Sequence, residues 1–132
     1  MAKKVTGIGG IFFKSANAEK SKEWYEKHLG IPVGEYGHIF QWRDMEDTKT
    51  IGQTVWFISK DGDSFKGKNE QPYMINYRVE NLEELLENLK SEGIEIIDGI
   101  EEYPYGKFAH ILDLDGNKLE LWEPIGEKED NK

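Results

Sequence analysis

His110 and Glu120 are the pair in this chain best suited to move a proton. They lie in YGKFAHILD (105–113) and KLELWEP (118–124), two alternating apolar runs separated by Asp115-Gly116-Asn117, a strong hairpin signal. A tight turn there sets His110 roughly opposite Glu120, and Phe108 opposite Trp122. A carboxylate beside an imidazole favours the charged form of each and can bring a histidine near working pH. The pair suits general acid–base work, with proton abstraction beside a carbonyl as its natural reaction. It suits equally well a structural hydrogen bond in a pocket wall. The chain has no cysteine, which excludes thiolate chemistry, disulfides and sulfur-based zinc sites. The glycine-rich start GIGGIF fails the dinucleotide fingerprint G-x-G-x-x-G, because Phe12 stands where the third glycine belongs and a strand runs on through Phe13. His28 and His38 read as structural or solvated.

The elements that would hold this pair occur twice. VTGIGGIFFK (5–14) reads as a strand, SANAEKSKEWYEKHLG (15–30) as an amphipathic helix ending at Gly30, and GHIFQWRD (37–44) and QTVWFIS (53–59) as aromatic-rich strands. The polar connection DGDSFKGKNEQP (61–72) follows, and the pattern restarts. PYMINYRVE (72–80) is a strand. NLEELLENLKSEG (81–93) is a helix with Asn81 and Glu84 as a capping pair and Leu82, Leu85, Leu86 and Leu89 as one apolar stripe. IEII (94–97), 105–113 and 118–124 read as further strands. GIFFKSANAEK…LGI and MINYRVENLEE…EGI correspond at a spacing of about 63 or 64 residues, which indicates one duplicated α+β unit. One face of each sheet then packs under its helix, and the other is left to form a cavity with its partner unit.

A chain of 132 residues with 37% hydrophobic residues fits one domain spanning 1–132, with modules at about 5–60 and 72–124 and an acidic, solvated tail at 127–132. The net charge of −9 argues against nucleic acid and against anionic membrane surfaces. No run of about 18 apolar residues is present to span a bilayer. The opening MAKKVTG has no signal-like apolar stretch, so the expected location is cytoplasmic.

With the repeat in place, YGKFAHILDLDGNKLELWEP becomes the most specific stretch. It resembles the closing hairpin of the glyoxalase/bleomycin-resistance/dioxygenase (vicinal-oxygen-chelate) superfamily, which commonly ends D-P-[DE]-G-N-x-[IL]-E-L-x-E-P, and the resemblance extends from GIGGIFFK to Pro124. It implies an α+β fold of two βαβββ modules forming a curved mixed sheet around a pocket, often across a homodimer. It also implies a divalent metal held from the first and last strands of each module. Carried over by position, the final-strand glutamate is Glu120, a residual metal ligand, but the other first-strand positions fall on Gly10 and Met74. The fourth ligand would come from Gln53 or Thr54. Glycine offers no donor and a thioether suits hard ions poorly, so the ligand set is incomplete and the cofactor is left open.

Strand alternation then places Lys118, Glu120 and Trp122, and Met74, Asn76 and Arg78, toward the cavity, with Ile8, Gly10, Phe12 and Lys14 on the same side of the first strand. Phe12, Trp42, Trp56, Phe108 and Trp122 are candidate aromatic lining, and Tyr103 and Tyr105 a candidate lid. Two functions are expected from this set. One is a small-molecule-binding protein using Phe12, Trp42, Trp56, Met74, Asn76, Arg78, Tyr105, Phe108 and Trp122 without the usual metal. The other is a glyoxalase-like lyase or isomerase, or a dioxygenase, using Glu120 with His110 as base or metal ligand. A homodimer is implied as well, since open sheet edges would otherwise stay exposed.

Overall fold

The computed structural model describes residues 5–34, 37–60 and 65–125. The 127–132 tail and part of the 61–72 connection lie outside the described residues. Strands β1 (Val5–Lys14) and β4 (Tyr73–Val79) run antiparallel along the middle of one sheet and join the two halves. On the β1 side lie β3 (Ile51–Ser59), parallel to β1, and then β2 (His38–Arg43), antiparallel to β3. On the β4 side lie β7 (Lys118–Pro124), parallel to β4, then β6 (Gly106–Leu112) and the short β5 (Glu101–Tyr103). The order β2-β3-β1-β4-β7-β6-β5 makes a mixed, curved open sheet from two related modules, each with one helix.

The register shows the duplication. Gly10 faces Asn76 and Phe12 faces Met74 across the seam. The relation that carries Gly10 onto Met74 also carries Phe12 onto Asn76, so it exchanges these two pairs. The first module is the shorter in regular structure. After its helix it shows β2 and β3 plus an isolated bridge between Gly34 and Gly37, with residues 35–36 outside the described set.

Helix α2 (Leu82–Ser91) starts where sequence chemistry places it. The Asn81 side chain accepts from the Glu84 N–H, and Glu123 on β7 accepts from the Leu82 N–H, so two otherwise orphan donors are satisfied. Its apolar stripe meets Val79, Ala109, Ile111 and Leu121 in the main core, with Leu82 fully buried. Helix α1 (Ala18–Leu29) is capped by Asn17 and ended by Gly30 at φ +70°, yet only Ala18 is buried. Tyr25 packs edge-on against Phe13 and Trp56, while Trp24 and Leu29 remain more than half exposed. Among the described residues no helix is long and apolar enough to cross a membrane.

One strand expectation needs correction. IEII (94–97) makes only a single bridge, Ile96 to Ile111, flanked by backbone bonds from Leu112 to Glu95 and from Ile97 to His110. The chain then leaves the β6 edge at Asp98-Gly99 and rejoins it as β5 at 101–103. Ile96 and Ile100 are instead used as packing against the α2 core.

The asymmetry of burial predicts an asymmetry of tolerance. Leu82→Ala should cost about 2–5 kcal/mol, whereas Leu29→Ala should stay within about 0.5 kcal/mol. Urea unfolding of both variants, read as midpoint shifts at constant slope, checks this.

Candidate functional site

The β6–β7 turn fixes the site's register. The Asp113 carboxylate accepts from the backbone N–H groups of Asp115 and Asn117, and Gly116 takes φ +87°. Those donors, Asn117 foremost, hold the Asp113 carboxyl below its usual range despite some desolvation. With the turn so tied, His110 pairs with Glu120 and Phe108 with Trp122, and β7 in turn sets Glu120 beside Asn76 of β4.

A hydrogen-bonded chain follows from this register. Asp98 Oδ2 lies 2.7 Å from His110 Nδ1, and His110 Nε2 lies 2.9 Å from Glu120 Oε2. Asn76 Nδ2 donates to Glu120 Oε1 at 2.7 Å, and the His110 backbone N–H donates to Asp98 Oδ1. Both ring nitrogens face carboxylate oxygens, an arrangement that favours the doubly protonated ring. Burial works against that charge, but the bonds from Glu120 and Asp98 and their negative charges outweigh it and raise the His110 pKa above its ordinary 6.5. The Asn76 orientation is fixed by the same chemistry: turned over, its carbonyl would face a carboxylate. This leaves Asn76 Oδ1, on a side chain only 2% exposed, without a hydrogen-bond partner.

The cavity beside this chain has a volume of about 500 Å³. Phe108 and Trp122 stack at 5.9 Å, while Tyr103 and Tyr105 stack at 5.4 Å and meet Phe108 edge-on. The Trp122 indole N–H donates to the Tyr105 carbonyl, tying the β5–β6 hairpin to β7. Glu101 stands at the rim. Its charge, chiefly, with desolvation and a 3.3 Å hydrogen bond, raises the Tyr103 phenol above its usual value.

Of the residues expected here, the structure brings Phe12, Met74, Asn76, Tyr105, Phe108, His110, Glu120 and Trp122 to the cavity wall. Gly9, Val55, Glu101 and Tyr103 join them. Trp42, Trp56 and Arg78 lie elsewhere. Trp56 sits under α1 with Phe13 and Tyr25. The Trp42 ring covers Gly7 and Gly52, where a methyl group would collide with it, and donates to Thr54 Oγ1. Arg78 lies over that ring at 5.7 Å. Trp56 follows alternation in β3, where its neighbour Val55 takes the cavity side; alternation fails in β1, which shifts register twice against β4, between Val5 and Gly7 and between Ile8 and Gly10. For the same reason Gly9, rather than Ile8, Gly10 or Lys14, reaches the cavity beside Phe12; Lys118 is not among the lining residues either.

Asp98 went unseen in the sequence, where Asp-Gly after IEII signals only a strand end. Its role depends on the Ile96–Ile111 bridge, which no local pattern reveals. The family's metal positions are equally plain in space. Val55 is the β3 residue on the cavity wall, Thr54 is committed to Trp42 and the Ile8 carbonyl, and both Glu120 oxygens are engaged. Among the described residues no group of three His, Asp or Glu side chains is placed to hold a metal ion.

Paired modules wrapped around a pocket define the class of protein, the vicinal-oxygen-chelate fold. The sequence profile of the Glyoxalase/Bleomycin resistance protein/Dioxygenase superfamily matches residues 8–121, and the chain belongs to that superfamily. No curated protein sequence is matched. Among solved structures, a Streptomyces coelicolor methylmalonyl-CoA epimerase variant in complex with 2-nitronate-propionyl-CoA has a TM-score of 0.67 at 14% identity, covering 94% of this chain and 98% of that one. The Mycobacterium tuberculosis methylmalonyl-CoA epimerase has a TM-score of 0.61 at 18% identity, covering 94% and 92%. A structure described as an NAD-dependent benzaldehyde dehydrogenase from Legionella pneumophila has 0.54 at 15%, covering 87% and 97%. At these identities the likeness is one of fold, and such different activities on one fold carry no function with them.

Two predictions follow from the site's geometry. A methyl group at Gly9 would overlap Asn76 Oδ1 and reach within 2.9 Å of the Trp122 ring, whereas one at Gly99 meets nothing within 4 Å. Gly9→Ala should therefore lower stability by about 1–3 kcal/mol and Gly99→Ala should not, as thermal melts of the two variants will show. For His110, a folded pKa raised above the unfolded one means its stabilisation is complete below the ordinary 6.5 and is lost as pH rises through the raised value. Melting temperature should thus fall between neutral and alkaline pH more steeply in the parent protein than in His110→Gln. Equal slopes in the two would remove the imidazolium from this account.

Proposed function

We propose that the chain binds a small, flat, largely apolar molecule in this cavity, without the divalent metal usual in its superfamily. The observation that carries the reading is the union of one aromatic wall, Tyr103, Tyr105, Phe108 and Trp122, with one polar cluster, Asn76, His110 and Glu120, around about 500 Å³. Cavities of that size, mostly apolar with a few convergent polar groups, are typical of small-ligand sites. The donor set does not fit a divalent ion. Gly10 and Met74 occupy two ligand positions, and Glu120 is satisfied by Asn76 and His110.

A second reading, proton transfer by Glu120 with His110 in a lyase- or isomerase-like reaction, is favoured by one observation: both residues reach the cavity wall in direct contact. Each Glu120 oxygen already accepts a hydrogen bond, so a substrate would have to share or displace one.

A second copy of the chain is the expected partner. It would cover the edge strand β2, where Ile39 and Phe40 are 46% and 43% exposed, and the open side of α1. Sedimentation equilibrium of the purified chain tests that pairing directly.

For the pocket itself, flat aromatic compounds should raise the melting temperature in proportion to their occupancy, and Trp122→Ala should abolish the rise. Elemental analysis should find no stoichiometric divalent ion. Stoichiometric metal that disappears in Glu120→Ala would reverse the metal-free reading.

A further inference from the structure

Resting on that pocket reading, we infer that the ligand is a flat cation or a protonated amine, and that the site discriminates against anions. The inventory of charge at the cavity points this way. Among the described residues lining it, the ionisable side chains other than tyrosine are Glu101, His110 and Glu120, with no lysine or arginine. Asp98 stands directly behind His110. Three carboxylates around one imidazolium leave the polar end net negative, and the whole chain, at −9, adds to the attraction for cations.

A further observation is independent of the acidic groups. The wall adjoining His110 and Glu120 is aromatic. Tyr103 and Tyr105 form one stacked pair, and Phe108 and Trp122 form another set edge-on to it. Ring faces attract cations through their quadrupoles, and cages of such rings recognise ammonium groups. Carboxylates at one end, ring faces beside them and no lysine or arginine in the lining are complementary to a delocalised or alkylated nitrogen cation. A carboxylate or phosphate would meet Glu120 and Glu101, with only the His110 ring, already bonded to Glu120 and Asp98, against the repulsion.

Three probes on one three-ring frame separate charge from shape: 9-aminoacridine as the cation, acridone as the neutral form and acridine-9-carboxylate as the anion. Isothermal titration of the full chain at low salt and neutral pH should rank them in that order. The cation should lead the neutral probe by about tenfold and the anion by about a hundredfold. Glu101→Gln and Glu120→Gln should each cut the ratio of the cation's affinity to that of acridone several-fold. Because Glu101 is exposed, its variant decides the matter if Glu120→Gln does not fold. Acridone or the carboxylate binding as tightly as the cation overturns this inference and leaves the pocket reading intact. Failure of all three to bind overturns the pocket reading, and this inference with it.

Discussion

The antiparallel seam between β1 and β4 is the constraint on which the rest of this structure depends. Among the described residues it is the only strand pairing that crosses from one module to the other, and it sets Gly9, Phe12, Met74 and Asn76 on one wall of the cavity. The seam closes because β1 carries so little bulk at its bulge. A side chain at position 9 would occupy the space of the Asn76 amide, and one at position 7 the space of the Trp42 ring. Glycine interrupts strand propensity, and here that local cost is offset by the placement of two larger groups. Asn76 then orients Glu120, Glu120 orients His110, and His110 holds Asp98 against β6. A single seam thus governs a chain of four polar side chains drawn from β4, β7, β6 and the loop after α2.

The two halves share a topology but divide the work. The second module holds the buried cluster around α2 and both residues of the acid–base pair. The first supplies Gly9, Phe12 and Val55 to the wall and keeps α1 largely exposed. Duplication fixes the backbone plan, while burial depends on which apolar residues each copy retains. Leu82, Leu85 and Leu86 fall at helical spacing on one side of α2. On α1 the aromatics Trp24 and Tyr25 are adjacent, so they point in different directions and only one can pack inward.

That contrast explains what could be read from the sequence. Both helices, the start of α2 and the end of α1, the long strands, and the facing of His110 with Glu120 were legible because each depends on chemistry within a few residues: Asn81 as a cap, Gly30 as a stop, Asp115 to Asn117 as a turn. The side of the sheet on which a residue falls was legible only where the strand is regular. In β6 and β7 the alternation holds for Phe108, His110, Glu120 and Trp122. In β1 two register shifts defeat it, and Trp42 and Arg78 settle on a glycine-floored surface away from the cavity. Asp98 and the true position of β5 lay beyond local pattern altogether. They depend on where an irregular segment meets a strand edge.

The polar chain also bears on what a carboxylate at position 120 requires. A buried carboxylate needs a compensating positive charge or strong donors, since desolvation otherwise drives it neutral. In the superfamily that this chain resembles at its final strand, a divalent ion commonly meets that need. Here the His110 ring and an amide N–H occupy the two oxygens, at 2.9 and 2.7 Å. The protonated form of that ring is favoured by a second carboxylate, Asp98, on its far nitrogen. Each member therefore depends on the next: without Asp98, His110 loses part of its reason to stay protonated, and without that proton Glu120 faces a neutral ring. The proposed metal-free site fits this arrangement: with Gly10 and Met74 where the family resemblance would put two further ligands, Glu120 has its charge balance from His110 and Asn76 instead.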